Sequence, residues 1–345
     1  MHVRAGVGEN PSDPRRESKG ESAPRALSAF SGNLEDYFLG HHPLIRQVRS
    51  AIFRAAAEDW PVLLVGETGT GKDMAACAIH GASLRRKHAL QIVPVGGLGD
   101  TAWSTLFGHR KGAFTGAVDD HQGVFLAADG SSLLLDDVAT LPLKLQPMVL
   151  RALEHGRFRP LGSNTELHAD VRVISSSNLP LDEEVEVGRF RSDLYERLAV
   201  LKIILPPLSA HLEDLEVYVP HFLKEAARTG RPPKKISAQA MRFLHSHSWP
   251  RNVRELKHFL YRCSVEVSGG TIDLSDVQAL LEPESRSMPR GSRSAKPDEV
   301  VIRKALAAAQ GNKREAARLL RVSPNTLYKL MREYLIDVEG KRQPV

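Results

Sequence analysis

An apolar strand, a glycine-rich turn and a helical pattern follow one another directly in VLLVGETGTGKDMAACAIHGA, residues 62–82. Glycines let backbone N–H groups face phosphate oxygens, a helix N-terminus favours anions, and Lys72 can neutralise the β- and γ-phosphates. A glycine-rich turn with a chance lysine is the alternative, and the correctly placed strand and helix argue against it. The sequence therefore predicts a phosphate-binding P-loop that holds ATP through Gly66, Glu67, Thr68, Gly69, Thr70, Gly71, Lys72 and Asp73.

A second apolar run, SSLLLDDV, ends in two neighbouring carboxylates, Asp136 and Asp137. At the end of a strand beside a P-loop, Asp136 can coordinate Mg²⁺ and Asp137 can orient the attacking water. Acidic pairs also occur in ordinary loops, so this interpretation depends on the P-loop. The Ser or Thr that usually follows the P-loop lysine is replaced by Asp73, which leaves metal coordination to other groups. ATP and Mg²⁺ are the predicted ligands.

Helical and short apolar stretches alternate from residue 34 to residue 282, as in PLIRQVRSAIFRAAAED followed by PVLLVG. This alternation is typical of a mostly parallel sheet flanked by helices. The predicted fold class is an α/β P-loop NTPase with a helical lid, followed by an all-α domain. The expected segments are a disordered arm at 1–33, an α/β nucleotide-binding part at 34–212, a helical lid at 213–282, a linker at 283–298 and a helix-turn-helix domain at 299–345.

Charge distinguishes the C-terminal module from the rest of the chain. The formal net charge is +6, and residues 301–345 alone contain 10 lysines and arginines against 4 aspartates and glutamates. A solvated basic face is one interpretation. A small basic domain on a neutral body favours the other, contact with a nucleic acid.

The stretch QGNKREAARLLRVSPNTLYKLMREYLI, residues 310–336, is typical of two helices joined by a tight turn. Asn312 with Glu315 resembles a capping box, and Ser323 with Pro324 predicts the start of the second helix. A purely structural helical hairpin is the alternative. On the DNA-binding interpretation, the residues that face base edges or phosphates are Arg321, Ser323, Asn325, Thr326, Tyr328, Lys329 and Arg332.

Neither export nor membrane insertion is expected. Residues 1–25 contain no apolar segment, and no later stretch reaches the roughly 18 apolar residues that a membrane span requires. Cys77 and Cys263 lie far apart without a ligand cluster, so neither a disulfide framework nor a zinc site is expected. We expect a cytoplasmic protein.

The segment FGHRKGAFTGA, residues 107–117, has neither the period of a helix nor the alternation of a strand. It places Phe114 among small residues, which is typical of a loop that moves and contacts a partner.

Seven motifs occur in the order seen in the AAA+ domain of bacterial sigma-54-dependent transcriptional activators, also called enhancer-binding proteins. They are GETGTGKD, LFGHRKGAFTGA, LLLDDV, RVISSSN, FRSDLYERL, LPPL and WPRNVREL. The chain resembles this family from about residue 39 to residue 281. The resemblance implies that a loop raised by the ATP cycle contacts sigma-54 through Gly112, Ala113, Phe114, Thr115, Gly116 and Ala117, with Phe114 and Thr115 at its tip.

The resemblance also implies roles for single residues. Lys72 would bind the phosphates, Asp136 would bind magnesium, and Asp137 would activate water. The γ-phosphate sensor would be Asn178, the arginine fingers inserted by a neighbouring subunit would be Arg191 and Arg197, and the second sensor on the lid would be Arg254. Arginine fingers in trans imply a ring, usually a hexamer. The C-terminal module is similar to the Fis-type DNA-binding domain, which usually pairs two chains.

Several positions depart from the family pattern. Asp137 replaces a glutamate, Gly96–Gly97 replaces an Asn-Cys pair, Arg110 replaces a common glutamate, and Ser209–His211 replaces an Arg-x-Arg segment. Asp73 differs only conservatively from the Glu that the family often has. Nucleotide binding is expected, whereas the efficiency of hydrolysis is left open.

Two functions therefore stay open. One is a transcription activator that binds upstream DNA, forms a homo-oligomer between dimer and hexamer, and uses ATP hydrolysis to remodel the sigma-54 RNA polymerase holoenzyme. The other is a DNA-binding regulator, or a related partner subunit in such a ring, whose AAA+ domain binds ATP but hydrolyses little. Because no sensing domain is expected before Leu34, control is expected from expression, from a partner protein or from a missing segment.

Overall fold

The structure, a computed structural model, describes residues 38–227, 232–281 and 299–309, together with residues 313, 316, 317, 320, 327, 330, 331 and 334. The chain divides into two compact units, residues 1–280 and 281–345. The predicted N-terminal arm and linker lie outside the described residues. Within the described ranges, every helix is too short or too polar to span a bilayer.

A five-stranded parallel sheet lies at the centre of the described part of the first unit. In spatial order its strands are β2 (Gln91–Pro94), β5 (Ser132–Asp136), β8 (Arg172–Ser177), β1 (Val62–Val65) and β9 (Leu201–Ile204). Every neighbouring pair is parallel. Since the carboxyl ends of parallel strands meet at one edge, the segments that follow β1, β5 and β8 are neighbours there. The predicted parallel α/β sheet is confirmed.

Both faces of the sheet are covered, so β1 is apolar throughout and β5 carries three consecutive buried leucines, 133–135, without alternation with polar residues. Alternate residues point to opposite faces. Leu63 belongs to the cluster of Phe107 and Phe125, whereas Leu64 belongs to the cluster of Ile52 and Ile79. The helices of this layer are α1 (Pro43–Ala57), α2 (Lys72–Gly81), α3 (Ala102–Phe107), α4 (Val124–Ala127), α5 (Gln146–His155), α6 (Leu181–Glu186) and α7 (Ser192–Leu198).

Two short antiparallel hairpins extend from this layer. One pairs β3 (Gly108–His109) with β4 (His121–Gln122), and the other pairs β6 (Arg157–Phe158) with β7 (Leu167–His168). The hairpins touch, because the Arg110 N–H donates to the Leu161 carbonyl at 3.0 Å and the Leu161 N–H donates to the Gly108 carbonyl at 2.9 Å. The segment predicted to contact sigma-54 lies between β3 and β4.

A helical lid follows β9. It consists of α8 (Leu215–Ala227), α9 (Ala238–Ser246), α10 (Asn252–Glu266) and α11 (Leu274–Leu281), with β10 (Lys235–Ile236) beside β11 (Thr271–Ile272). Ser237 caps α9 by accepting a hydrogen bond from the Ala240 N–H at 3.3 Å. The turn before α10 is fixed by Trp249, which is 1% exposed. Its indole N–H donates to the Leu244 carbonyl at 3.0 Å. The predicted helical lid is confirmed.

The described part of the second unit contains α12 (Glu299–Ala308) and an apolar cluster. The cluster consists of Ile302, Ala305, Leu306, Ala309, Ala316, Ala317, Leu327, Leu330 and Met331. The predicted DNA-contacting residues (321, 323, 325, 326, 328, 329 and 332) lie outside the described residues.

Candidate nucleotide-binding site and contact loop

The P-loop connects the end of β1 to the first turn of α2. Gly69 and Gly71 have φ angles of 84° and 99°, in the left-handed region that favours glycine. A Cβ atom on Gly69 would lie 2.1 Å from the Arg251 carbonyl oxygen. Glycine is therefore required at position 69 both by its dihedral angle and by the close approach of the lid.

Lys72 points back into this loop from the first residue of α2. Its Nζ donates to the Gly66 carbonyl at 2.8 Å, to the Glu67 carbonyl at 3.1 Å and to Asn178 Oδ1. Burial lowers the pKa of Lys72 from its ordinary value, and the negative charges of Asp136, Asp73 and Asp137 oppose that shift. The lysine is thus fixed at the turn that would surround the phosphates.

Asp136 is the last residue of β5, and Asp137 follows it with a φ of 59°, a left-handed conformation that is uncommon outside glycine. Ser176 on the neighbouring strand donates to Asp136 Oδ1 and accepts a hydrogen bond of 3.1 Å from the Asp137 N–H. Asn178 Nδ2 donates to Asp137 Oδ1 at 3.4 Å. Asn178 therefore links Lys72 to Asp137, so three predicted site residues are joined.

The carboxylates at this edge suit a magnesium ion. Burial raises the pKa of the half-exposed Asp73 carboxyl, and the charge of Asp136 adds to that rise. Two carboxylates close enough to repel are stabilised by a divalent cation with oxygen ligands. Within the described ranges, no three His, Cys, Asp or Glu side chains cluster to hold a metal by themselves. Magnesium usually takes one or two carboxylates and completes its shell with phosphates and waters, so the residues fit.

Gly96, one of the departures from the family pattern, lies beside Asp137. A Cβ atom at Gly96 would be 3.3 Å from Thr140 Oγ1 and 3.6 Å from Asp137 Oδ2. Thr140 itself donates to the backbone carbonyl of Asp137 at 2.7 Å. A side chain at position 96 would therefore contact the predicted catalytic carboxylate. Glycine has no side chain, so this contact is missing.

The lid contacts the P-loop through the first turn of α10. Arg254 Nη2 lies 3.5 Å from Asp73 Oδ2, and the Arg254 N–H donates to the Gly69 carbonyl at 3.3 Å. The structure thus brings the predicted second sensor to the P-loop.

Asn252, in the same turn, was not predicted. Its Nδ2 donates to Glu67 Oε2 at 3.0 Å and to the Thr68 carbonyl at 3.1 Å. An asparagine at a helix start is an ordinary capping residue, and its two P-loop partners lie 185 and 184 positions away, so the sequence carried no signal for this contact.

The two predicted arginine fingers lie on α7 and at its start. Arg191 pairs with Asp193, with nitrogen–oxygen distances of 3.0 and 2.7 Å, and its side chain is 46% exposed. The Nε atom of Arg197 is buried without a hydrogen-bond partner among the described residues. Their predicted role needs a second subunit, so the single chain does not test it.

The segment Gly112–Ala117 forms a compact turn. The Gly112 N–H donates to the Ala117 carbonyl at 2.9 Å, and the Ala117 N–H donates to the Phe114 carbonyl at 3.0 Å. Phe114 is 44% exposed. Its ring packs edge-on against the His109 ring, with 5.0 Å between centroids. The turn is thus ordered, with an aromatic ring partly open to solvent.

The base of this turn is closed by Asp120. Its carboxylate accepts hydrogen bonds from Arg110 Nη1 at 2.5 Å and from the Lys111 N–H at 2.8 Å. Both contacts lower the pKa of Asp120, the Lys111 N–H more than Arg110. On the other side, a Cβ atom at Gly162 would lie 2.7 Å from the Ala113 Cβ, so the β6–β7 hairpin packs directly on the turn.

Comparisons with known proteins agree with this geometry. Residues 38–204 match the family described as Sigma-54 interaction domain, residues 209–294 match AAA+ ATPase lid domain, and residues 298–334 match Bacterial regulatory protein, Fis family. The transcriptional regulatory protein GlrR of Escherichia coli (strain K12) is 36% identical over 304 residues, which cover 87% of this chain and 68% of GlrR. This chain belongs to the sigma-54-dependent transcriptional regulators.

A second relative and two solved structures agree with this result. The transcriptional regulatory protein ZraR of Klebsiella oxytoca is 38% identical over 296 residues, covering 84% of this chain and 67% of ZraR. The crystal structure of NtrX from Brucella abortus in complex with ADP has a TM-score of 0.66 at 26% identity and covers 86% of this chain and 69% of NtrX. NtrX in complex with ATP has a TM-score of 0.65. The predicted family and fold are confirmed, and the roles of single site residues stay predictions.

Proposed function

We propose that this chain is a cytoplasmic activator that binds upstream DNA, assembles into a ring and uses ATP hydrolysis to remodel the sigma-54 RNA polymerase holoenzyme. The observation that carries this proposal is the Gly112–Ala117 turn, which offers the half-exposed Phe114 ring while its base is fixed by Asp120. That turn lies in the same compact unit as the P-loop. We propose that a nucleotide-dependent change at the P-loop reaches the turn through this unit.

In the proposed reaction, Lys72 binds the β- and γ-phosphate oxygens in place of the Gly66 and Glu67 carbonyls that it now contacts. Asp136, with Asp73 nearby, would hold Mg²⁺, which neutralises charge on the phosphates. Asp137 orients the attacking water. Asn178 bonds both Lys72 and Asp137, so we assign it to sensing the γ-phosphate. Hydrolysis would remove that phosphate and so change the contacts of Asn178.

We assign Arg191 and Arg197 as arginine fingers, which would contact the nucleotide bound by a neighbouring subunit. The ion pair of Arg191 with Asp193 is solvent-exposed, and such pairs contribute little stability, so phosphate oxygens can compete for this guanidinium. The unpartnered Nε of Arg197 is a donor that an interface can satisfy. Both features support an oligomer, either of this chain alone or with a related subunit.

The Fis-family match over residues 298–334 supports DNA binding by the second unit. Its basic surplus should make affinity fall steeply as salt rises, because each neutralised phosphate releases counterions. Titration of the full chain against a palindromic site and a scrambled site, at two salt concentrations, tests this. Equal affinity for both DNAs at either salt would leave only a nonspecific basic region.

A second candidate is a regulator that binds ATP and oligomerises but hydrolyses little. One observation favours it: the catalytic position carries the short Asp137 side chain, and Gly96 beside it offers no side chain to restrain that carboxylate. ATP turnover of the assembled protein, with and without sigma-54, separates the two candidates.

The deciding experiment uses Thr115→Ala. Because Thr115 lies in the contact loop and away from the P-loop contacts, we expect transcription from a sigma-54 promoter to be lost while ATP and DNA affinities stay at wild-type values. Val118→Ala, at a 69% exposed residue just outside the loop, is the matched control. Normal activation by the Thr115 variant would show that the loop assignment is wrong.

A further inference from the structure

A single buried amide, that of Asn252, joins three separate segments of the first unit. Its Nδ2 donates to Glu67 Oε2 at 3.0 Å and to the Thr68 carbonyl at 3.1 Å, both in the P-loop. Its Oδ1 accepts a 2.7 Å hydrogen bond from the Leu208 N–H, in the connection between β9 and the lid. Asn252 itself begins α10 of the lid and is 1% exposed.

The chemistry of this position requires an amide. Two acceptors, a carboxylate and a backbone carbonyl, face one end of the side chain, and one donor faces the other end. A carboxylate could serve only Leu208, and an apolar side chain would leave buried polar groups without partners. The backbone φ of Asn252 is 54°, a left-handed conformation that asparagine tolerates better than most residues.

Arg254 lies two residues beyond Asn252 in the same helical turn. The lid backbone there is in direct contact with the P-loop, since the Arg254 N–H donates to the Gly69 carbonyl at 3.3 Å. Arg254 Nη2 in turn lies 3.5 Å from Asp73 Oδ2. The location of the Arg254 guanidinium therefore depends on how the start of α10 is held against the P-loop.

We propose that Asn252 is a positioning residue that couples the lid to the P-loop. It fixes Arg254 with respect to the nucleotide phosphates, and through Leu208 it passes any movement of the P-loop to the connection that carries the lid. This inference rests on the proposed nucleotide-dependent function. It assigns the coupling of lid and P-loop to the buried amide of Asn252. The Arg254–Asp73 pair is half-exposed and contributes less to holding the two together.

The test is a double-mutant cycle on nucleotide affinity. Asn252→Asp keeps the shape and the acceptor for Leu208 but removes the donors and places a second carboxylate beside Glu67. The affinity of a fluorescent ADP analogue is measured for the wild type, Asn252→Asp, Arg254→Ala and the double variant. Asn164→Asp, on an exposed hairpin residue, is the matched isosteric control.

We expect Arg254→Ala to weaken binding roughly tenfold or more in the wild-type background, as the loss of a charge-assisted hydrogen bond does. In the Asn252→Asp background the same change should cost less than about twofold, because Arg254 is already displaced. Adding Glu67→Gln to Asn252→Asp supplies a donor to the new carboxylate and should recover part of the affinity. A purely structural role for Asn252 predicts neither result.

The same factor for Arg254→Ala in both backgrounds would overturn the proposal. If Asn252→Asp does not fold, Glu67→Ala takes its place in the cycle. It removes one of the two P-loop acceptors of Asn252 and leaves the Thr68 carbonyl, and the same criterion applies. Lys72→Ala separates the two levels of inference. Undiminished affinity in that variant would refute the nucleotide site itself, whereas lost affinity together with an additive cycle would refute only the role of Asn252.

Discussion

The nucleotide site and the Gly112–Ala117 turn belong to one compact unit, but they are held in different ways. Lys72 and Asn178 are 106 positions apart, and Asn252 and Glu67 are 185 positions apart. The turn is closed by neighbours, since Arg110 and Asp120 are 10 positions apart. The site thus depends on the whole fold, whereas the turn is closed by its own short segment, with only the β6–β7 hairpin packed on it. Substitutions in the nucleotide site should therefore have large effects on ATP binding and hydrolysis, whereas substitutions in the turn should alter only the turn and its contacts.

The largest effect is expected at Asp137. Asp137→Ala removes the group that we propose orients water, and losses of a general base typically reduce turnover by about 10²–10⁴-fold. Asp137→Glu should raise turnover above the wild type, because a longer side chain brings the carboxylate closer to the water. Single-turnover ATP hydrolysis measures both. Asp119→Ala, an exposed carboxylate near the contact loop, is the control.

Equal rates for the wild type, Asp137→Ala and Asp137→Glu would show that position 137 is not catalytic. The expected order of effects would then change, since the largest effect on hydrolysis would have to come from another residue of the site.

A smaller effect is expected from Lys72→Ala on affinity. Lys72 is 7% exposed, and its Nζ makes two hydrogen bonds inside the P-loop and a third to Asn178, so its charge is held at the turn that would surround the phosphates. Loss of such a charged contact should weaken nucleotide binding by roughly 10- to 100-fold. Titration with a fluorescent ATP analogue measures this, and Lys87→Ala, at an exposed residue, should bind as the wild type does.

The parts of the site that the sequence predicted are those with local patterns. A strand, a glycine-rich turn and a helix predicted the P-loop, and an acidic pair after an apolar run placed Asp136 at the end of β5. The sheet topology then explains why Asn178 lies next to them. Patterns of this kind depend on neighbours in the chain, so they can be read without a structure.

The contacts that the sequence did not predict are those between segments. Nothing in the sequence distinguishes Asn252 from other residues near helix starts, and only the lid's approach to the P-loop gives it partners there. The pairing of Arg110 with Asp120 was also missed, because it depends on the hairpin register of β3 and β4. The predicted departure at Gly96 was identified by resemblance, and the structure supplies the physical reason it matters, its closeness to Asp137.

At the turn, Asp120→Ala should have a local effect. It removes the acceptor of the Lys111 N–H and of the Arg110 guanidinium, so the base of the turn opens more often. We expect faster hydrogen exchange at Gly112–Ala117 and a few-fold lower activation, with an unchanged melting temperature, since exposed ion pairs contribute little to global stability. Asp119→Ala is the matched neighbour. A large drop in melting temperature would contradict the view that this region is held locally.

The smallest effect concerns pH and His211, in the connection between the sheet and the lid. His211 is 2% exposed, and its Nδ1 lies 3.3 Å from Asp214 Oδ2. Burial lowers the pKa of His211 below its ordinary value even though Asp214 opposes the shift. In the unfolded chain the imidazole takes up its proton at a higher pH than in the folded protein. Above the unfolded-state pKa of about 6.5, the imidazole is neutral in both states and does not lower the free energy of unfolding. Below that pH the unfolded chain binds the proton more readily, so the free energy of unfolding falls.

His211→Gln should remove this contribution. Urea unfolding at about pH 7.5 and about pH 5.5 should show that the wild type loses more stability on acidification than the variant, by about 1 kcal/mol or less. His80, whose pKa burial also lowers, is present in both proteins and cancels in the comparison. Hydrogen exchange at Gly112–Ala117 should respond alike in both proteins, because the contacts that close the turn come from its own segment and from the β6–β7 hairpin, away from His211. An identical pH dependence of unfolding in the two proteins would exclude His211 as a source of the acid sensitivity. A change in the hydrogen exchange of the turn that occurs only in the variant would show that the connection between sheet and lid is coupled to the turn.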